Sequence, residues 1–240
     1  MELGAGDGEK VKFLIEKAVK EEYDFEYVPI DISHGSNLTL VEAVKKVSPH
    51  IKMTALTALY EEGIKWAHDN KQGRNVFACV GGSIGNFEKS EREKFFEFMK
   101  GHMKKGDMAM WAIDLKKDPE TIRLAYFDHK DLAVKCTEHV LSRINGELHA
   151  NFDLGNFFPY VYYDPYVGDI LDTIVSKCDQ TIRVRDREFE VKKSEVILVA
   201  PSKKWDLEEL EGEMKAVGME LVKQFTDKKG YFMEALFQKQ

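Results

Sequence analysis

Three apolar runs, each closing on an acid or a glycine turn, restrict this chain to few architectures. EYVPIDIS (26–33) reaches Asp31, NVFACVGGSIGNF (75–87) breaks at Gly81 and Gly82, and MAMWAIDL (108–115) carries Asp114 near its end. Between them LTLVEAVKKV (38–47), YEEGIKWAHD (60–69) and SEREKFFEFMKGHMK (90–104) place apolar residues at helical spacing. Ser90 and Glu93 are spaced as a capping box for the last of these. Strand and helix alternating at this rhythm predict an α/β fold with a doubly wound parallel sheet. Ligands of such sheets bind beyond the carboxyl ends of the strands, where these acids and glycines collect.

The first ten residues, MELGAGDGEK, space Gly4, Gly6 and Gly8 at alternate positions after Glu2, and helical spacing follows from Glu9 to Glu22. Such a loop turns a buried strand into a helix and lets backbone N–H groups approach a ligand. A dinucleotide loop would need its third glycine at position 9, which is Glu9. Asp7 and Glu9 also put negative charge where a pyrophosphate prefers none. A ligand with a cationic centre and no phosphate suits the loop better, and S-adenosylmethionine is such a molecule. Asp31 stands about 20 residues beyond the loop at the next strand end, where a ribose-binding acid sits. The strand before the loop should hold about four to eight apolar residues, yet only Met1 precedes Glu2. We therefore expect the native chain to continue upstream, with Met1 an internal methionine or a truncated start.

Past Asp118 the character changes. Residues 118–148 look helical, NFDLGNFFPYVYYDPYVGD (151–169) is irregular and aromatic, and QTIRV, REFEV and EVILVA look like strands. From Trp205 an acidic helix leads to two strands joined by a Lys-Lys-Gly turn, an antiparallel pair closing the sheet. We expect a core formed by 1–118 and 205–240, with 119–204 inserted as an α+β domain. A net charge of −7 argues against a nucleic-acid groove. The three cysteines form no CxxC pair and the seven histidines no HExxH, so no metal site is expected. No apolar run approaches a membrane span, and the acidic opening is unlike a signal peptide. These features predict a cytoplasmic protein, and we expect a monomer.

ELGAGDGEK, YVPIDIS, YEEGIKW, GGSIGNF, DLKKDPETIRLAY, INGELHANFD and SKKW stand in this order along the chain. In that order the chain resembles the histidine-specific, S-adenosylmethionine-dependent N-methyltransferases of ergothioneine biosynthesis, which have fungal relatives acting on a prenylated tryptophan. The resemblance covers essentially the whole chain, and GGSIGNF followed by DLKKDP carries more of it than the glycine loop does. It implies a class I methyltransferase (Rossmann-like) core with an inserted substrate domain, S-adenosylmethionine as cofactor and S-adenosylhomocysteine as product. It places Glu2, Gly4, Gly6, Gly8 and Lys10 on the cofactor, with Asp31 at the ribose. Tyr60 and Glu61 fall on the adenine side, and Gly81 and Gly82 join the cofactor set. Asn86 matches the asparagine holding the substrate's amino-acid head group, and Tyr126 the tyrosine meeting its carboxylate; these two are the expected catalytic residues.

One departure bears on substrate choice. The histidine enzymes place an acid two residues before a serine, in an E-x-S-x-K-aromatic stretch, to bind the imidazole. APSKKW keeps Ser202, Lys204 and Trp205 but puts Ala200 in the acid's place, and a one-residue shift would put Val199 there. LDTIVS (171–176) also departs from the family pattern. A site without its polar acceptor loses discrimination for a polar ring, so an aromatic or apolar amino acid becomes competitive with histidine. The expected reaction is N-methylation of a free amino acid or derivative. The alternative is a cofactor-binding regulatory protein that retains the fold without turnover.

Overall fold

A computed structural model describes residues 1–126 and 132–240. The chain forms two compact units: Met1–Leu115 with Trp205–Gln240, and Lys116–Lys204.

In the first unit the chain runs β1 (Glu2–Leu3), α1 (Lys12–Lys20), β2 (Glu26–Tyr27), β3 (Pro29–Asp31), α2 (His34–Val47), β4 (Lys52–Met53), β5 (Leu56–Thr57), α3 (Tyr60–Asn70), β6 (Val76–Cys79), α4 (Lys89–His102) and β7 (Met108–Asp114). The second unit holds α5 (Pro119–Tyr126), α6 (Leu132–Leu148), β8 (Phe157–Asp164), β9 (Asp169–Ser176), β10 (Gln180–Val184), β11 (Arg187–Val191) and β12 (Val196–Lys203). The chain then returns to the first unit as α7 (Leu207–Ala216), β13 (Met219–Thr226) and β14 (Phe232–Lys239).

The first unit's main sheet has the order β13-β14-β7-β6-β1-β3-β5. β7, β6, β1, β3 and β5 are parallel, while β14 runs antiparallel to β7 and to β13. One apolar cluster gathers Ile15, Leu40 and Val44 from α1 and α2. Another gathers Ile64, Phe95, Phe96, Met99, Leu210 and Met214 from α3, α4 and α7 with Trp111 of β7. Helices thus cover the sheet as the strand–helix rhythm requires.

The central strand β1 is bonded on both sides. Glu2 N–H donates to Val28 O (2.9 Å), and Met1 O accepts from Ala78 N–H (2.8 Å). A cavity of about 740 Å³ opens at the amino end of β1, lined by Met1, Phe25, Tyr27, Asn75 and Val76 among others. Where the chain leaves for the second unit and returns from it, Trp205 N–H donates to Asp114 O (2.9 Å).

Several local expectations are corrected. The run 26–33 divides, because Glu26–Tyr27 pair with β4 while Pro29–Asp31 pair with β1 and β5. α2 starts at His34 because Ser33 Oγ caps it, accepting from Ser36 N–H (3.2 Å). The cap of α4 is Glu88 with Glu91, not Ser90 with Glu93: the Glu91 carboxylate accepts from Glu88 N–H at 3.1 Å. In the second unit the aromatic stretch 157–164 is a strand and so is LDTIVS, joined in a three-stranded sheet ordered β12-β9-β8. Alternation explains the misreading: on β8 the outward positions Phe158, Tyr160 and Tyr162 are also aromatic, which hides the period of two. Helix is described over Pro119–Tyr126 and Leu132–Leu148; the part of the expected helical stretch at 127–131 lies outside the described residues.

Candidate active site

In the first unit the expected cofactor residues meet at the carboxyl ends of β1, β3 and β6. Gly4, Gly6 and Gly8 all take positive φ (+71°, +58° and +80°), which a side chain would resist. At Gly4 a Cβ would stand 2.6 Å from Tyr60 Oη, so the backbone can pass there only without one. Gly6 N–H donates to Asp31 Oδ2 (2.9 Å), and Ser33 N–H donates to Asp31 Oδ1 (2.8 Å). Two backbone bonds therefore fix the carboxylate beside the loop.

Tyr60 opens α3, and its ring lies 6.4 Å from Phe87 and 6.0 Å from Phe95. Burial pushes its phenol up, while a hydrogen bond to Ser83 opposes the rise. Ser83 Oγ in turn lies 3.2 Å from Cys79 Sγ. Gly82 (φ +73°) starts a 3-10 turn, Ser83–Asn86, that presents the exposed Asn86. Lys10 Nζ lies 3.6 Å from where a Cβ of Gly81 would be. Glu61 is exposed in the first turn of α3.

Glu2 is buried, and its carboxylate accepts from the Tyr27 hydroxyl. Burial pushes it up to about 7, against the pull of that bond, of the Met1 amine and of Lys10. The structure thus turns this acid toward Tyr27. Sequence reading passed over two members of this edge. Ser83 links Tyr60 to Cys79, and the buried Asn37 donates from Nδ2 to Leu56 O (3.0 Å) and Thr57 Oγ1 (3.1 Å), tying α2 to the end of β5. The serine was legible within GGSIGN; the asparagine sits in an ordinary helical run and carried no signal.

The loop suits S-adenosylmethionine on the chemistry of its donors and acceptors. Asp31 uses two of its roughly four acceptor sites on backbone, leaving lone pairs for ribose hydroxyls. Glycine positions admit close backbone approach, and Lys10 stands at the end of the loop, with Lys12 paired to Glu9 at 2.5 Å. Among the described residues no group of three or more His, Cys, Asp or Glu side chains is placed to hold a metal ion. No helix among them is long and apolar enough to cross a membrane.

In the second unit Tyr126, at the end of α5, meets Ser202 and Lys204 from the end of β12. Tyr126 Oη donates to Ser202 Oγ (2.8 Å), and Lys204 Nζ lies 2.8 Å from Tyr126 Oη and 3.0 Å from Ser202 Oγ. Lys204 is buried, with its ammonium over the Tyr126 ring at 5.0 Å. Two of these residues were expected at the site; the lysine, visible in SKKW, was noted without a role. Ala200 is exposed two pairs along the β9–β12 ladder from Ser202, opposite Asp172.

The model of the family described as "Histidine-specific methyltransferase, SAM-dependent" matches residues 1–239. A histidine N-alpha-methyltransferase of Mycobacterium tuberculosis is 26% identical over 234 residues, 97% of this chain and 72% of the relative. A 4-dimethylallyltryptophan N-methyltransferase of Claviceps purpurea is 26% identical over 135 residues, 52% of this chain and 39% of the relative. Among solved structures, the CcbJ methyltransferase of Streptomyces caelestis covers all of this chain and 87% of its own, with a TM-score of 0.53 at 11% identity. That likeness shows the fold, a class I methyltransferase sheet with an antiparallel C-terminal strand. With the match running from the first residue to the last but one, this chain belongs to the histidine-specific, S-adenosylmethionine-dependent methyltransferase family.

Proposed function

We propose that this protein N-methylates the α-amine of a free amino acid or amino-acid derivative. The observation that carries the reading is the cluster of Tyr126, Ser202 and Lys204, two hydroxyls and a buried ammonium drawn together within 3.0 Å of one another. That donor set suits a substrate carboxylate. S-adenosylmethionine, when bound, supplies a methyl group already activated by its sulfonium.

The chain's own residues then have the tasks of binding, orientation and exclusion of water. Gly4, Gly6, Gly8, Lys10, Asp31, Tyr60, Glu61, Gly81 and Gly82 form the cofactor set, with Glu2 behind it. Asn86, which offers both donor and acceptor, orients the head group so that the amine nitrogen keeps a free lone pair. Tyr126 and Ser202 hold the carboxylate, and Ala200 lies toward the substrate side chain. In this reading residues 119–204 are the substrate domain. The protein acts on a small molecule, as a monomer, in the cytoplasm; its cysteines are all free.

The test is a methyl-transfer screen with radiolabelled donor over free amino acids, with Asn86→Ala as the control variant. We expect label in the small-molecule fraction and a loss of at least 10²-fold in that variant, the scale of a misplaced reacting group. Label confined to macromolecules, or unchanged turnover in the variant, would overturn the assignment.

A further inference from the structure

The turn that presents Asn86 has little internal support. Gly85 N–H donates to Gly82 O (3.1 Å) across it, and 3-10 hydrogen bonds are poorly aligned. Its start is fixed, because Gly82 takes φ +73° and Ser83 Oγ lies 3.2 Å from Cys79 Sγ at the end of β6. Its middle is anchored by Ile84, which is buried in the core. Its far end is Phe87, where the backbone turns extended before α4. There the Phe87 carbonyl accepts from Nη1 of Arg92 (3.1 Å), and the Phe87 ring stacks on Phe95 with centroids 5.5 Å apart.

Arg92 is itself held from outside the turn. Nε and Nη2 donate to the two oxygens of Glu213 on α7, each at 2.8 Å. The guanidinium lies 4.6 Å from the centre of the Trp205 ring. A guanidinium is planar and its donors form a rigid fork, so a two-point bond to one carboxylate fixes the direction of the third donor. The side chain is buried, so a lost bond to Phe87 O is not readily replaced by water.

We infer that Arg92 is a positioning residue for Asn86: it clamps the Phe87 carbonyl, next in the chain to the asparagine, to a point set by Glu213 and Trp205. The place of the substrate's amino-acid head group is then decided on α4 and α7, by side chains that do not touch the substrate. The inference rests on the role proposed above for Asn86, and one of its readouts is independent of turnover.

Two variants separate positioning from stability. Arg92→Met with Glu213→Leu replaces the ion pair by apolar side chains and removes the donor to Phe87 O. Glu213→Gln keeps that donor while weakening the pair. In the double variant we expect kcat for the amino acid found in the methyl-transfer screen to fall about 10-fold or more, with S-adenosylhomocysteine affinity within about twofold of the parent. Amide exchange at Gly85 should speed up about 10-fold or more, with the amides of β7 unchanged. Glu213→Gln should melt below the double variant yet keep kcat within about threefold of the parent. A kcat that follows melting temperature across the three proteins would make Arg92 a stability residue alone and overturn the inference. Unchanged kcat together with unchanged Gly85 exchange in the double variant would overturn it as well. If the parent methylates no amino acid, the proposed function fails, and Gly85 exchange alone then decides whether Arg92 holds the turn: faster exchange supports it and unchanged exchange overturns it.

Discussion

Glu2 shows how a single residue can be read correctly for its place and incompletely for its surroundings. Its position before the glycine loop marks the strand end, but only the fold brings Tyr27 to its carboxylate and shuts water out. Its folded value of about 7 exceeds the ordinary 4.5, so the folded chain holds the proton more tightly than the unfolded one. The stability that Glu2 contributes is therefore full below about 4.5 and is lost as pH rises through about 7. Glu2→Gln, always neutral, should unfold at the same temperature as the parent near pH 4.5 and at a higher one at pH 8. We expect a difference there on the order of 2–3 kcal/mol, and parallel thermal-melt profiles across that range would refute the assignment. Gly4 is the opposite case, legible from sequence as a required glycine. Its positive φ and the 2.6 Å approach of Tyr60 Oη to a hypothetical Cβ give the physical reason.

Among the elements, α4 and α7 are joined by a contact that no sequence pattern announced. Arg92 Nε and Nη2 donate to the two oxygens of Glu213, each at 2.8 Å, and Nη1 donates to Phe87 O (3.1 Å). The guanidinium also stacks 4.6 Å from the centre of the Trp205 ring. Arg92 reads in the sequence as one more charge on a solvated helix face, yet it is 2% exposed. A buried bidentate pair with one partner removed strands a charge. Arg92→Ala should lose about 3–5 kcal/mol in urea unfolding followed by Trp111 and Trp205 fluorescence. Arg92→Met with Glu213→Leu should recover most of that, since paired apolar replacement of a buried ion pair is often neutral. A loss below about 1 kcal/mol, the range of exposed pairs, would refute the role. Because Phe87 follows Asn86, the same contact steadies the turn that presents the asparagine.

For the whole molecule, the division into two units separates two chemistries. The first unit carries the glycine loop and Asp31, the second the Tyr126–Ser202–Lys204 cluster. If the cofactor set is as assigned, S-adenosylhomocysteine at about 100 times its Kd should stabilise the first unit by about 2.7 kcal/mol. Hydrogen exchange should then slow at the amides of Gly4, Gly6 and Ser33. Protection confined to β8–β12 would contradict the assignment.

The sequence by itself determined the sheet and its cofactor edge. Strand, loop and helix recur locally, and glycine, acid and apolar period are signals carried within a few residues. It also offered Asn86, Tyr126 and Ser202 as candidates, through the motifs of the family it resembles. What only tertiary structure decided are pairings between residues far apart in the chain: Glu2 with Tyr27, Arg92 with Glu213, Tyr126 with Lys204, and Asp172 across from Ala200. A ladder register with a bulge is set by strand packing and by hydrogen bonds across the sheet, and no local run of residues encodes which side chain will face which.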